Sequence, residues 1–136
     1  MTHMLDTSAW LAHLFGEPGV EEVSLLFDEP QNDVYVSVLS LLEMVGRLKA
    51  LNQQDQWPLV RDTYAKLFAK IVPVDESIAG AAIEFRSNTQ SRLPTIDALI
   101  AATASVHGLI LVHRDPHLAA IPDLNLSQLL LPGRQA

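Results

Sequence analysis

Short aliphatic or β-branched runs alternate along this chain with longer stretches whose apolar residues recur at helical spacing. The first run, HML, ends at Asp6 and opens onto a helix through SAWLAHLF that Gly16 stops. A second helix covers VEEVSLLFD and ends before Glu29-Pro30. VYVSV then reads as a buried strand, followed by a helix from about Leu39 to Leu51. The next helical pattern runs from roughly Gln54 to Lys70, with Pro58 tolerated in its first turn. IVPV is strand-like, SIAGAAIEFRSN helical and TQSRLP a loop. The Ala-rich segment TIDALIAATASVH predicts a helix that Gly108 ends, and LILV a strand. HRDPHLAAIP gives a turn and a short helix, and LNLSQLL an edge strand.

Alternation of short apolar strands with helices implies an α/β fold whose sheet is mostly parallel and covered by helices. Such sheets bind ligands beyond the carboxyl ends of their strands. Asp6 and Asp115 each follow a strand-like run, so both belong on that edge of the sheet.

Composition narrows the chemistry. The 136 residues fit one domain, 1–136, and 49% of them are hydrophobic, enough for a sizeable core. There is no cysteine, which removes disulfides, thiolate nucleophiles and cysteine zinc sites. No apolar run reaches the length of a membrane span, and the N-terminus lacks a signal-peptide pattern, so a soluble cytoplasmic protein is expected. A net charge of −7 argues against a nonspecific coat for duplex DNA. It leaves room for a nuclease, whose cation attracts phosphate locally, and for a basic protein partner.

Four acids stand at or inside these core segments: Asp6, Glu43, Asp97 and Asp115. Three have ordinary structural roles open to them. Asp6 and Asp115 suit helix N-caps, the latter with Pro116 at the first helical position. Asp97 suits the first turn of its helix. Glu43 lies on a helix that is apolar nearly all round, where an unpaired carboxylate is costly, and its local alternative is an i, i+4 pair with Arg47. If the fold gathers the four, they cannot all ionise without a counter-charge. Mg²⁺ or Mn²⁺ supplies one through oxygen ligands and supports phosphodiester hydrolysis with one or two ions.

The segments LDTSAWLA, VSVLSLLEMVGRL, LPTIDALIAATASVHGLILV and RDPHLAAIPDLNL together resemble the PIN-domain ribonucleases, in particular the VapC-type toxins of toxin–antitoxin pairs. The resemblance covers nearly the whole chain. It implies a three-layer α/β/α sandwich with a central, mostly parallel sheet, and Mg²⁺- or Mn²⁺-dependent cleavage of RNA, with tRNA or rRNA as target and arrest of translation as output. It places the acidic metal ligands on Asp6, Glu43, Asp97 and Asp115. It places on Ser8 a hydroxyl that holds a carboxylate or a bound water. It also implies a homodimer and a cognate antitoxin whose basic tail covers the site. The chain departs from the pattern in its last block: His113 stands where the family commonly has Thr, and His117 and Leu118 where it has an acidic and an aromatic residue.

Arg92 and Arg114, in loops beside the acidic edge, are candidates for phosphate contact. His113 and His117 read as polar loop residues. His3 reads as structural or exposed, and His13 and His107 as surface or boundary. Trp10, Leu14, Phe15, Val45 and Leu48 suit either core or a groove for a second subunit or antitoxin. Two other functions compete. A receiver-type phosphoacceptor domain needs an Asp ending a central strand and a Lys after a later one, and neither VYVSV nor LILV supplies them. A non-catalytic PIN-like scaffold is the other.

Overall fold

The computed structural model describes residues 1–89, 92–122 and 126–133. Its strands are β1 (Thr2–Leu5), β2 (Asp33–Ser37), β3 (Lys70–Val72), β4 (Ile110–His113) and β5 (Gln128–Leu130). All neighbours pair in parallel, in the order β3-β2-β1-β4-β5. β1 is central, with Leu5 paired to Val36 on one side and to Val112 on the other.

The helices are α1 (Thr7–Phe15), α2 (Val20–Asp28), α3 (Val38–Ala50), α4 (Trp57–Ala65), α5 (Glu76–Asn88), α6 (Thr95–His107) and α7 (Pro116–Ala119). Because successive strand residues face opposite ways, Met4 and Leu111 point into one core and Leu5 and Val112 into the other. The first core packs against α5, α6 and α7, through residues such as Ile78, Ile100 and Leu118. The second packs against α1 to α4, through Trp10, Val23, Met44 and Tyr64. The result is a three-layer sandwich around an all-parallel sheet. Among the described residues, no helix is long and apolar enough to cross a membrane.

Several local expectations change. The helix drawn to Lys70 ends at Ala65, and a 3-10 turn over Gln54–Gln56 precedes it. Lys70 starts β3, and Ala69 already donates its N–H to the Val34 carbonyl. The apolar residues Leu67, Phe68, Ile71 and Val72 carry the helical pattern on past the point where the backbone turns into the sheet. Pro58 does fall in the first turn of α4. Only the later part of LNLSQLL forms β5, since Leu124 and Asn125 lie outside the described residues. α3 is not buried all round: Leu42 is 72% exposed, and Gly46, Arg47 and Lys49 also face solvent.

Candidate active site

β1 and β4 are adjacent and parallel, so the residues that leave their carboxyl ends emerge side by side. Asp6 leaves β1 and caps α1, taking the Ala9 N–H at 3.0 Å and the Ser8 hydroxyl at 2.5 Å. Its own N–H donates to the Val112 carbonyl of β4, so the turn is tied to the neighbouring strand. Asp115 leaves β4 and caps α7, taking the His117 N–H at 2.9 Å, with the His117 ring Nδ1 3.1 Å away. Asp97 lies in the first turn of α6. Glu43 lies midway along α3, where Thr7 donates its hydroxyl to Oε1 at 2.5 Å. Ser40, one turn earlier on α3, is 2.9 Å from the same Thr7 oxygen.

The capping roles and the clustering coexist. Asp6 feels the charges of Asp97 and Asp115, and Asp97 those of Asp115 and Glu43. Burial pushes Asp6 up to about 7; the Ser8 and Ala9 bonds oppose this, and the two neighbouring carboxylates add to it. Burial also leads the rise of Asp97 to about 6, followed by the charges of Asp115 and Glu43 and a hydrogen bond with Asp115. His117 pulls the other way.

In Asp6, Asp115 and Glu43 the protein donors all reach one oxygen: Oδ1, Oδ1 and Oε1 respectively. Asp115 also hydrogen-bonds Asp97. Among the described residues, no group of three or more Asp, Glu or His is arranged to hold a metal ion. The donor set itself fits a hard divalent cation. It offers oxygen only, it carries excess negative charge, and in three of its four carboxylates protein donors hold one oxygen.

The sequence-predicted residues divide as follows. Asp6, Glu43, Asp97 and Asp115 are coupled through their charges, and Ser8 holds the Asp6 carboxylate. The Ser8 oxygen also accepts the Arg114 N–H at 3.2 Å, joining the start of α1 to the end of β4. The Arg114 side chain forms an ion pair with Glu17 and donates Nη1 to the Pro18 carbonyl at 3.3 Å. Arg92 is exposed just before α6. Arg47 forms no pair with Glu43 among the described residues. Instead, with Ser8, Leu11, Arg114, Asp115 and Pro116, it lines a cleft of about 460 Å³.

Two readings of the histidines are corrected. His113 is not a loop residue: it ends β4 and is fully buried. Burial is the main cause holding its pKa below the ordinary histidine value, against the raising effect of Gln128 and Asp115. His3 is buried as well. His117 is exposed and lies on α7 rather than in a loop, and Pro116 starts that helix as expected.

Sequence reasoning missed Thr7, Ser40, Glu17 and Gln128. Ser40 and Thr7 left only a weak signal: each sits near an acid in sequence, but Thr7 follows Asp6 and bonds Glu43, 36 positions away, and Ser40 bonds Thr7. Glu17 and Gln128 left none.

The fold and the acidic edge define a class: a parallel α/β domain with charge-coupled carboxylates where its central strands end. The profile of the PIN domain family matches residues 3–124, and the chain belongs to that family. Membership sets aside the receiver-type alternative. No curated protein is similar enough in sequence to match. Among solved structures, the chain is similar to VapBC2 from Rickettsia felis bound to a DNA fragment from the VapBC2 promoter. The TM-score is 0.79 and the identity 19%, over 97% of this chain and 100% of that one. It is also similar to FitAcB from Neisseria gonorrhoeae, with a TM-score of 0.73 and 26% identity over 94% and 96% of the two chains. A toxin–antitoxin complex from Klebsiella pneumoniae gives a TM-score of 0.64 and 26% identity over 88% and 92%.

Proposed function

We propose that this chain is a divalent-metal-dependent endoribonuclease, the toxin of a toxin–antitoxin pair, and that it arrests translation by cutting tRNA or another structured RNA. One observation carries the reading. Four charge-coupled acids sit at the carboxyl edge of a PIN-family sheet, and three of them are held by protein donors on a single oxygen. Asp6, Glu43, Asp97 and Asp115 would hold Mg²⁺ or Mn²⁺. When bound, the ion supplies charge to offset that of the phosphodiester and an acid site that activates water.

The chain's own residues set the stage. Ser8 and the Ala9 amide orient Asp6, and Thr7 orients Glu43. Asp97, raised to about 6 by burial and by the charges of Asp115 and Glu43, offers a carboxyl able to take or give a proton near neutral pH. Arg47 lines the cleft beside Asp115 and provides a cationic wall for the RNA backbone, while the buried Arg114 guanidinium is held by Glu17 and the Pro18 carbonyl. Arg92 is placed to extend that contact toward α6.

The partners follow the same reading. The similar structures include toxin–antitoxin complexes, and an acidic pocket on a chain of net charge −7 suits an antitoxin with a basic tail. Leu14, Phe15, Leu48, Leu59 and Val60 line an apolar cavity of about 210 Å³ that can seat a nonpolar side chain of such a partner. A homodimer is part of the proposal.

The test is cleavage of total RNA by the purified chain. Cleavage is expected with Mg²⁺ or Mn²⁺, is lost in EDTA, and is lost in Asp97→Asn while the fold survives. A wild-type chain that cuts no RNA with either ion would favour the non-catalytic scaffold. Retained cutting by a clean Asp97→Asn preparation would sink the mechanism.

A further inference from the structure

β4 ends in a buried imidazole whose two nitrogens are both engaged, and the bonds determine which one carries the proton. Gln128 on β5 donates its amide nitrogen to the Ile121 carbonyl at 2.9 Å. A carbonyl only accepts, so this bond fixes the amide and turns Oε1 toward His113, 2.7 Å from Nε2. That oxygen also only accepts, so Nε2 carries the hydrogen. On the other side of the ring, the Asp115 backbone N–H donates to Nδ1 at 3.0 Å. Nδ1 is therefore bare, and the ring is the neutral Nε2–H tautomer.

A single chain of hydrogen bonds thus runs from the Asp115 amide through His113 and Gln128 to the Ile121 carbonyl. The strand pairing holds it in place: His113 pairs with Leu130 across β4 and β5, and its carbonyl accepts the Leu131 N–H at 2.7 Å. Asp115 leaves the strand at this point, with its backbone extended at φ −108° and ψ 119°.

We propose that His113 is a positioning residue. Its bare Nδ1 holds the Asp115 amide, which sets the angle at which the Asp115 carboxyl meets Asp97, and Gln128 fixes the tautomer that makes this possible. The inference rests on the reading of Asp115 as part of the nuclease site. A threonine hydroxyl at this position can accept the same amide two residues on, as Ser and Thr do in turns. The imidazole accepts it from a larger, buried ring, whose second nitrogen then needs a partner of its own. Gln128 is that partner.

Two isosteric substitutions separate positioning from packing. H113T and H113V leave the same space and both deprive Gln128 of its ring, but only Thr offers the Asp115 amide an acceptor. The expected result is that H113V loses about 10–100-fold in kcat relative to H113T, the size of effect seen for groups that orient ligands, with similar KM and similar thermal midpoints. Equal kcat in the two variants overturns the proposal. Nitrogen NMR of the wild-type imidazole gives a readout independent of cleavage and of whether either variant folds. A protonated Nε2 with a bare Nδ1 supports the proposal, and a protonated Nδ1 overturns it. If the wild type cuts no RNA, the nuclease reading fails and the proposed role fails with it, while NMR still decides the hydrogen-bond chain.

Discussion

Replacing Asp6 by Asn removes a charge while keeping the shape and the oxygen that cap α1. The Asp6 carboxyl is 4% exposed and titrates near 7, against a reference of 3.8. A group whose native pKa lies above its unfolded value binds its proton more tightly when folded. Stability is therefore highest at low pH and falls as pH rises from about 4 through about 7. At ~1.4 kcal/mol per pH unit, the ionised form costs the metal-free fold on the order of 4 kcal/mol by pH 8. Asn avoids this cost and still accepts the Ala9 and Ser8 bonds. The Asp6→Asn variant in EDTA should then melt roughly 12–16 °C above wild type at pH 8, taking roughly 3–4 °C per kcal/mol for a chain of this size. The gap should close at pH 4, where Asp6 is protonated in the native state. Thermal scans of both proteins at the two pH values make the test. Equal midpoints at pH 8, or a gap that persists at pH 4, would refute the claim that the buried Asp6 carboxylate destabilises the metal-free fold when ionised.

Other consequences follow from the groups around the acids. Thr7→Val keeps the side-chain shape but takes the hydroxyl from Glu43, so RNA cleavage should fall about 10–100-fold with little change in melting temperature. Glu17→Gln leaves the Arg114 side chain, which is 6% exposed, without its counter-charge and should destabilise the fold by about 2 kcal/mol in urea unfolding. Arg47→Ala should raise KM for RNA. In a cleavage-dead background it should also lower the salt dependence of RNA binding by about 0.7 in log–log slope, as loss of one phosphate contact does.

Much of this was legible in the sequence, for physical reasons that can be named. The strands were readable because fully buried parallel strands are short apolar runs, and HML, VYVSV and LILV stand out as such. Asp6 and Asp115 could be assigned to one sheet edge because each ends such a run. Capping does not separate the acids: both residues cap helices through Oδ1 and still lie at one charge-coupled edge. The burial of α3 was misjudged because Val38 and Leu42 are apolar yet exposed, so composition overstated how much of the helix is covered. His113 was misread because a polar residue after LILV suggests a turn. Its buried ring is bonded to Gln128, fifteen positions away and on a different strand. The Glu17–Arg114 pair spans 97 positions, and no local pattern announces it.

The central claim is that these four carboxylates bind the divalent ion on which RNA hydrolysis depends. Titrating Mn²⁺ into the metal-free protein, with binding followed by calorimetry and RNA cleavage followed in parallel, tests it most directly. The account predicts that cleavage rises along the binding curve, and that Asp6→Asn, Glu43→Gln, Asp97→Asn and Asp115→Asn each weaken Mn²⁺ binding. Full cleavage in EDTA, or Mn²⁺ binding unchanged in all four variants, would contradict it.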